Sequence, residues 1–494
     1  MRFLGDRYPS LHGSNVWRIV VIAGLLLLLV LRPFPGNESL YLALCAVLFV
    51  ILTVLRDRGA MSSHGQIRSW LIPCFLVLGL FESVNFLHVR GYGILGWGTW
   101  VILVLYYVFI PEKERLAFWR RVKPLGGVVA FFMFAVLIAL IISPDFRFSL
   151  SQWKQFAVLF NCTPYFLLAA LYCRSLTEVR RLGWVSALVG GLQAPVVFVE
   201  SNNIRSIVDR LIAIGLIIND PVITGTRIMG TLDWELTAEY AALMVLLSYT
   251  LFCVSRGVVS RLVALLLLVI AIYVGIMTGT RGFIVGLAFL PVLAILNNMA
   301  ERGVGRKILS MLASSAGLAF VGIVAWQIVP QTAFDQITQR LSKSGTSLTT
   351  IWMNSRGYFQ ADWLQIALRT PLNGQGLLQG LYIVGGTFPG FMPHSLYLWT
   401  WVAMGLMGLA ALTALLGMLI ARAVQSYRIA SSWPEMRKWA GFLLVFMLYW
   451  VVDEFKIEAV RQMGYMYFFF TWFGVISSVY AISREFAAKR EPTP

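Results

Sequence analysis

The stretch Leu262–Met299 reads LVALLLLVIAIYVGIMT over Leu262–Thr278, then Gly279-Thr280-Arg281-Gly282, then FIVGLAFLPVLAILNNM over Phe283–Met299. Each apolar run has the length of a helix that crosses hydrocarbon, about 17–25 residues. The polar break between them is too short to be anything but a tight turn. Two membrane helices back to back, with an arginine at the turn, set the fold class for the rest of the chain.

The remainder of the sequence agrees. Of 494 residues, 59% are hydrophobic and 13% charged, where a soluble protein keeps roughly 25% charged. Mean hydropathy is +0.76. So few charges cannot solvate a chain of this size, so it reads as an all-α, polytopic integral membrane protein. The period-2 alternation of an outer-membrane barrel is absent.

Fourteen spans are expected, within a range of 12–14. The first seven are Val16–Leu31, Leu40–Leu55, Trp70–Leu87, Gly93–Ile110, Leu125–Ile142, Phe156–Tyr172 and Leu182–Val199. The others are Leu236–Val254, Leu262–Thr278, Phe283–Met299, Ile308–Ile328, Ser395–Ala421, Trp439–Val452 and Met463–Ile482. The first span follows Arg2 and Arg7, carries Arg18 at its start, lacks a small-x-small cleavage pattern, and reads as an uncleaved helix. Residues 1–494 form a single integral membrane domain, interrupted by one large insertion of mostly polar residues, 330–393, which reads as a lid-like loop.

The net charge of +17 would suggest nucleic acid in a soluble protein. Here the positive-inside rule explains it, and no basic helix, zinc spacing or Gly-rich phosphate loop points to nucleic acid. The links on the same side as the termini carry 26 of the 40 Lys and Arg, and the opposite links carry 14. Both termini are therefore expected in the cytoplasm, with 330–393 facing the periplasm or exterior. The five cysteines lie in or beside apolar spans without a CxxC pair and read as packing residues.

Candidate chemistry gathers at the outer helix ends. Arg281 is costly between two spans unless it snorkels or meets an anion. It is either a snorkelling hairpin residue or a guanidinium fork for phosphate, helped by the N–H groups opening the next helix. Arg227 precedes the span Leu236–Val254 and is the second candidate for a diphosphate clamp. Asp233 and Glu235 there read as helix caps, and Glu239, one turn inside, as a group that orients an arginine. Within the insertion, Gly357–Leu368 has helical apolar spacing, and Arg356 before it could reach the same headgroup zone. That segment alternatively lies flat on the bilayer.

His394, in Pro393-His394-Ser395-Leu396-Tyr397-Leu398, is either a helix-end packing residue or a general base. A helix N-terminus disfavours the imidazolium, and a neutral imidazole is what a base for a sugar hydroxyl requires. Asp453, Glu454 and Glu458 follow a short span on the same side, as alternative base or as the group that orients His394. No metal triad, no acidic DxD motif in a cytoplasmic link and no Ser–His–Asp order is visible, so neither metal nor cofactor is expected.

The order Thr278-Gly279-Thr280-Arg281-Gly282, then a large outer loop, resembles the O-antigen ligase and O-antigen polymerase (Wzy/WaaL-type) superfamily. The loop run Arg356, Trp363, Ala367, Pro371, Gly374, Gly376 is similar to that family's, as is Pro393–Leu398 followed by Gly405-Leu406-Met407-Gly408-Leu409. The resemblance covers residues 227–421. The family often has asparagine where this chain has Ser395, and serine where it has Thr280. Both replacements keep hydrogen-bonding capacity.

The resemblance implies a metal-independent, inverting glycosyltransferase. Its donor is a glycan on undecaprenyl diphosphate, held by Arg227, Arg281 and Arg356, with His394 as base and Thr280 and Ser395 in support. Its acceptor is a second lipid-linked glycan for a polysaccharide polymerase, or lipid A–core for an O-antigen ligase. Membrane lipids and other polysaccharide-assembly proteins are the further partners expected. Fourteen spans and the extra outer segment Glu200–Glu235 favour the polymerase. A transporter or flippase for the same lipid is the alternative from another class. It would want inverted repeats and mid-span charges, and Glu82 is nearly alone of that kind.

Overall fold

The computed structural model describes residues 72–77, 88–89, 92–109, 112–142, 156–213, 228, 230–232, 234–301, 358–377, 393–455 and 463–489, with a few positions between 304 and 315. These residues are all-helical apart from one two-residue antiparallel pair, β1 (His88–Val89) with β2 (Tyr92–Gly93). The helices in order are α1 (Ile94–Phe109), α2 (Glu112–Ile142), α3 (Phe156–Tyr172), α4 (Leu176–Gly191), α5 (Gln193–Ser201) and α6 (Arg205–Ala213). Then come α7 (Trp234–Val254), α8 (Val258–Met277), α9 (Arg281–Met299), α10 (Tyr358–Arg369), α11 (Leu396–Ile429), α12 (Pro434–Asp453) and α13 (Met463–Ala488).

Ten of the expected spans fall on these helices, the span Leu182–Val199 being divided between α4 and α5. Val16–Leu31, Leu40–Leu55, nearly all of Ile308–Ile328 and most of Trp70–Leu87 lie outside the described residues. Among the described residues, seven helices are long and apolar enough to cross a membrane. The outward faces are apolar as well, with Phe134 on α2, Leu266 on α8 and Ile295 on α9 exposed. Large side chains exposed along spans suit lipid better than water.

Two helices are central. In α7 and α13 the apolar stretch is 89% and 94% buried within the protein, against 39–50% for the other five. A helix apolar all round belongs inside a bundle. α13 crosses α3 closely because Gly474 faces the Phe166 carbonyl, where an added Cβ would fall 2.4 Å from that oxygen. Between membrane helices such small-residue crossings supply packing where the hydrophobic effect is weak. Aromatic stacking joins α13 to its neighbours, with Trp450 on Phe469 at 4.2 Å and Tyr165 on Tyr467 at 4.5 Å.

The ends of the bundle differ. At one, Glu435 pairs with Arg180 at 3.5 Å and Arg256 at 3.9 Å, Lys438 pairs with Glu301, and Arg174 pairs with Glu114 at 2.5 Å. Lys438 also donates to the Cys253 carbonyl, at 3.2 Å. The basic links 113–123, 174–181, 256–261 and 422–438 therefore meet at one end. The opposite end, here termed outer, carries the starts of α7, α9 and α11 and the finish of α12.

Candidate functional site

The turn between α8 and α9 is built by its small residues. Gly279 has φ +59, a left-handed value that glycine adopts without strain. Thr278 Oγ1 donates to the Gly275 carbonyl at 2.7 Å, and the Phe283 N–H donates to the Thr280 carbonyl at 3.1 Å. The Phe283 ring fills the space where Gly275 would carry a Cβ. Thr280 is the N-cap and Arg281 the first residue of α9, so the arginine opens a helix whose free N–H groups and dipole favour an anion.

The approach to α7 is held by a neighbour. Glu200 Oε2 accepts the Gly230 N–H at 2.8 Å, and Gln193 Oε1 accepts the Thr231 N–H at 2.9 Å. The Gln193 amide in turn donates to the Thr231 hydroxyl. Both holding side chains are buried and lie seven residues apart on α5, two turns along one face. Sequence reasoning missed them, although a glutamine near the end of an apolar run is a signal, since polar groups in membrane helices need partners. Arg227 itself lies outside the described residues, as does Arg356.

Besides Glu200 and Glu235, three carboxylates are deeply buried at this end: Glu239 on α7, Asp453 closing α12 and Glu454 after it. Tyr449 and Tyr465, both fully buried, lie within electrostatic reach of all three. α7 and α9 run parallel and touch where Gly286 meets Ala242, an added Cβ falling 2.4 Å from the alanine's. Glu239 is three residues outward of Ala242, and Arg281 five residues outward of Gly286. At a rise of about 1.5 Å per residue, the Arg281 backbone stands within one helical turn of the height of Glu239.

His394 lies at the start of α11 in a strained setting. Its φ is +50, a left-handed value costing about 1–3 kcal/mol for a residue with a side chain. Such a conformation persists only where the surroundings over-determine it, and here they do. Ser395 is the N-cap, its hydroxyl oxygen 3.5 Å from the Leu398 nitrogen. The Leu396 N–H donates to the Glu454 carbonyl at 2.9 Å, and the Tyr397 hydroxyl to the Val451 carbonyl at 2.8 Å. The Tyr397 ring also packs against that of Phe455, tilted, with centroids 4.4 Å apart. The histidine junction and the acidic finish of α12 are one fastened unit, and His394 is half-buried within it.

The described part of the outer loop is fastened to the same unit. Trp363, Ile366 and Ala367 of α10 pack on Leu398, Trp401 and Val402 of α11. Gln360 of α10 donates to the His394 carbonyl at 3.1 Å and to the Phe455 carbonyl at 2.9 Å. Past α10, the turn Pro371–Gly376 enters a break in α11 at Gly405, whose φ of +67 and ψ of −166 are not helical. There Gln375 N–H donates to Val402 O at 2.7 Å, Gly376 N–H to Ala403 O at 3.0 Å, and Leu406 N–H to Pro371 O at 2.8 Å.

The outer end thus brings together the backbone of Arg281, the side chains of Glu239, Asp453, Glu454 and Ser395, and the His394 junction. Both α9 and α11 pack on α12, and the N-terminus of α11 is tied to the acidic end of α12 through the Leu396 N–H and the Glu454 carbonyl. Among the described residues no group of His, Cys, Asp and Glu could hold a metal ion. No family model matches the chain, and no curated protein matches it significantly.

Proposed function

We propose that this protein is a membrane glycosyltransferase that moves a glycan from undecaprenyl diphosphate at the periplasmic face of the inner membrane, polymerising lipid-linked polysaccharide repeat units. The observation that carries the reading is the strained His394, fastened to the acidic finish of α12 at the end where α9 opens with Arg281. A left-handed histidine is the kind of local strain that clusters at functional sites. An arginine at the first position of a membrane helix is costly without an anionic partner, and a lipid-linked diphosphate is a partner of that kind.

The donor has an apolar tail that stays in lipid, a diphosphate at the headgroup plane and a glycan outside. Arg281, with Arg227 and Arg356, would hold the diphosphate and offset the charge that grows on it as it leaves. His394 would take the proton from an acceptor hydroxyl as that oxygen attacks the anomeric carbon. The new C–O bond forms on one face while the bond to the diphosphate breaks on the other, with inversion. The leaving undecaprenyl diphosphate keeps the electron pair. Asp453 and Glu454 would favour the imidazolium that results.

The test uses purified protein in lipid vesicles with a lipid-linked oligosaccharide. Longer lipid-linked products with that substrate alone mean a polymerase. Transfer only after a lipid A–core acceptor is added means a ligase. Movement of the lipid across the bilayer without a change in product would replace both with a transporter.

A further inference from the structure

We propose that Gln360, on the loop helix α10, is a positioning residue that sets the His394 backbone. The proposal rests on the reading of His394 as a base. Gln360 lies on the loop helix α10, 34 residues from His394 and 95 from Phe455, so its two bonds join three separate pieces of chain. Its Nε2 has two hydrogens, and two carbonyl oxygens face it, at 3.1 Å (His394) and 2.9 Å (Phe455). Only the NH₂ end of the amide can satisfy two acceptors, which fixes the orientation of the group.

The acceptor of the first bond is the carbonyl of the residue whose φ is +50. That bond constrains the peptide between His394 and Ser395, and with it the direction in which the imidazole leaves the backbone. The second bond ties the same amide to the segment that follows Asp453 and Glu454. One side chain therefore registers the base, the acidic end of α12 and the loop helix against one another. Without the Gln360 bonds, the left-handed histidine loses a contact that comes from outside its own helix. Trp363, Ile366 and Ala367 attach α10 to α11 by apolar packing.

Three variants in the vesicle transfer assay test the proposal. Gln360→Ala should lower the transfer rate by about 10- to 100-fold, the scale of a misplacement of about 1 Å, with donor affinity within about twofold of wild type. Gln360→Lys keeps donors on a side chain of similar reach and should recover most of the rate, whereas Gln360→Glu, which presents an acceptor to two carbonyls, should not. Melting in detergent identifies any variant that fails to fold, and Gln360→Lys is then the deciding comparison. A wild-type rate for Gln360→Ala, or a loss of donor affinity equal to the loss of rate, overturns the positioning role. A wild-type rate for His394→Ala would instead overturn the assignment of the base.

Discussion

Gly405 of α11 lies against the turn after α10 so closely that a Cβ on it would fall 2.0 Å from the Leu372 carbonyl oxygen and 2.7 Å from the nitrogen of Gly374. Gly374 reciprocates, its own Cβ position being 2.5 Å from Gly405 N. Two glycines in left-handed conformations let a loop enter the break in a membrane helix. Gly405→Ala should therefore destabilise by about 2 kcal/mol or more, from a backbone region that only glycine adopts readily, with steric overlap added. Gly417, in the same helix with nothing within 4 Å of its Cβ position, is the control. Its replacement by alanine should be neutral or stabilise by about 0.5–1 kcal/mol. Melting in detergent reads both, and equal effects would contradict the fastening of the loop.

The α7 entrance gives a second expectation. Glu200→Ala leaves the buried Gly230 N–H without its acceptor, which costs about 1–3 kcal/mol. Glu200→Gln retains an acceptor oxygen and should lose clearly less. Thermal unfolding of the two variants checks this, and an equal loss would mean that charge, not the hydrogen bond, is what Glu200 supplies.

Much of this was legible in the sequence. Ten of the apolar runs fall on helices, and seven helices are long and apolar enough to cross a membrane, because a chain in lipid must satisfy its own backbone; Pro371-Leu372-Asn373-Gly374-Gln375-Gly376 read as a turn from its residues alone. The break in α11 was not legible, since Gly405-Leu406-Met407-Gly408 is equally good sequence for a continuous helix with small packing residues. Gln193 and Glu200 sat inside or at the end of a span expected to be a single helix. Gln360 occupies a polar position of an amphipathic helix, where any polar residue would fit the period. His394 was singled out by residue type and neighbouring proline, but its left-handed backbone depends on contacts with segments far away in the chain.

At the basic end, Lys438 pairs with Glu301, their side chains 11% and 21% exposed. Lys438→Met should cost about 1–3 kcal/mol, less than the roughly 3–5 kcal/mol for breaking a fully buried pair. Adding Glu301→Gln should restore part of that loss, giving a coupling of about 1 kcal/mol in a double-mutant cycle. Strict additivity would mean that the pair contributes nothing beyond its two side chains.

Arg281→Lys should lose most transfer activity, because an ammonium does not replace a bidentate fork on phosphate. Arg356→Ala should lose less. The transfer assay at saturating acceptor distinguishes them. An Arg356 effect as large as that of Arg281 would make the outer loop part of the diphosphate clamp.

The most direct measurement compares wild type and His394→Ala in vesicles loaded with lipid-linked oligosaccharide, recording both glycan transfer and donor binding. Transfer should be abolished in the variant while donor binding persists at near wild-type affinity. Transfer by His394→Ala at the wild-type rate would contradict the account.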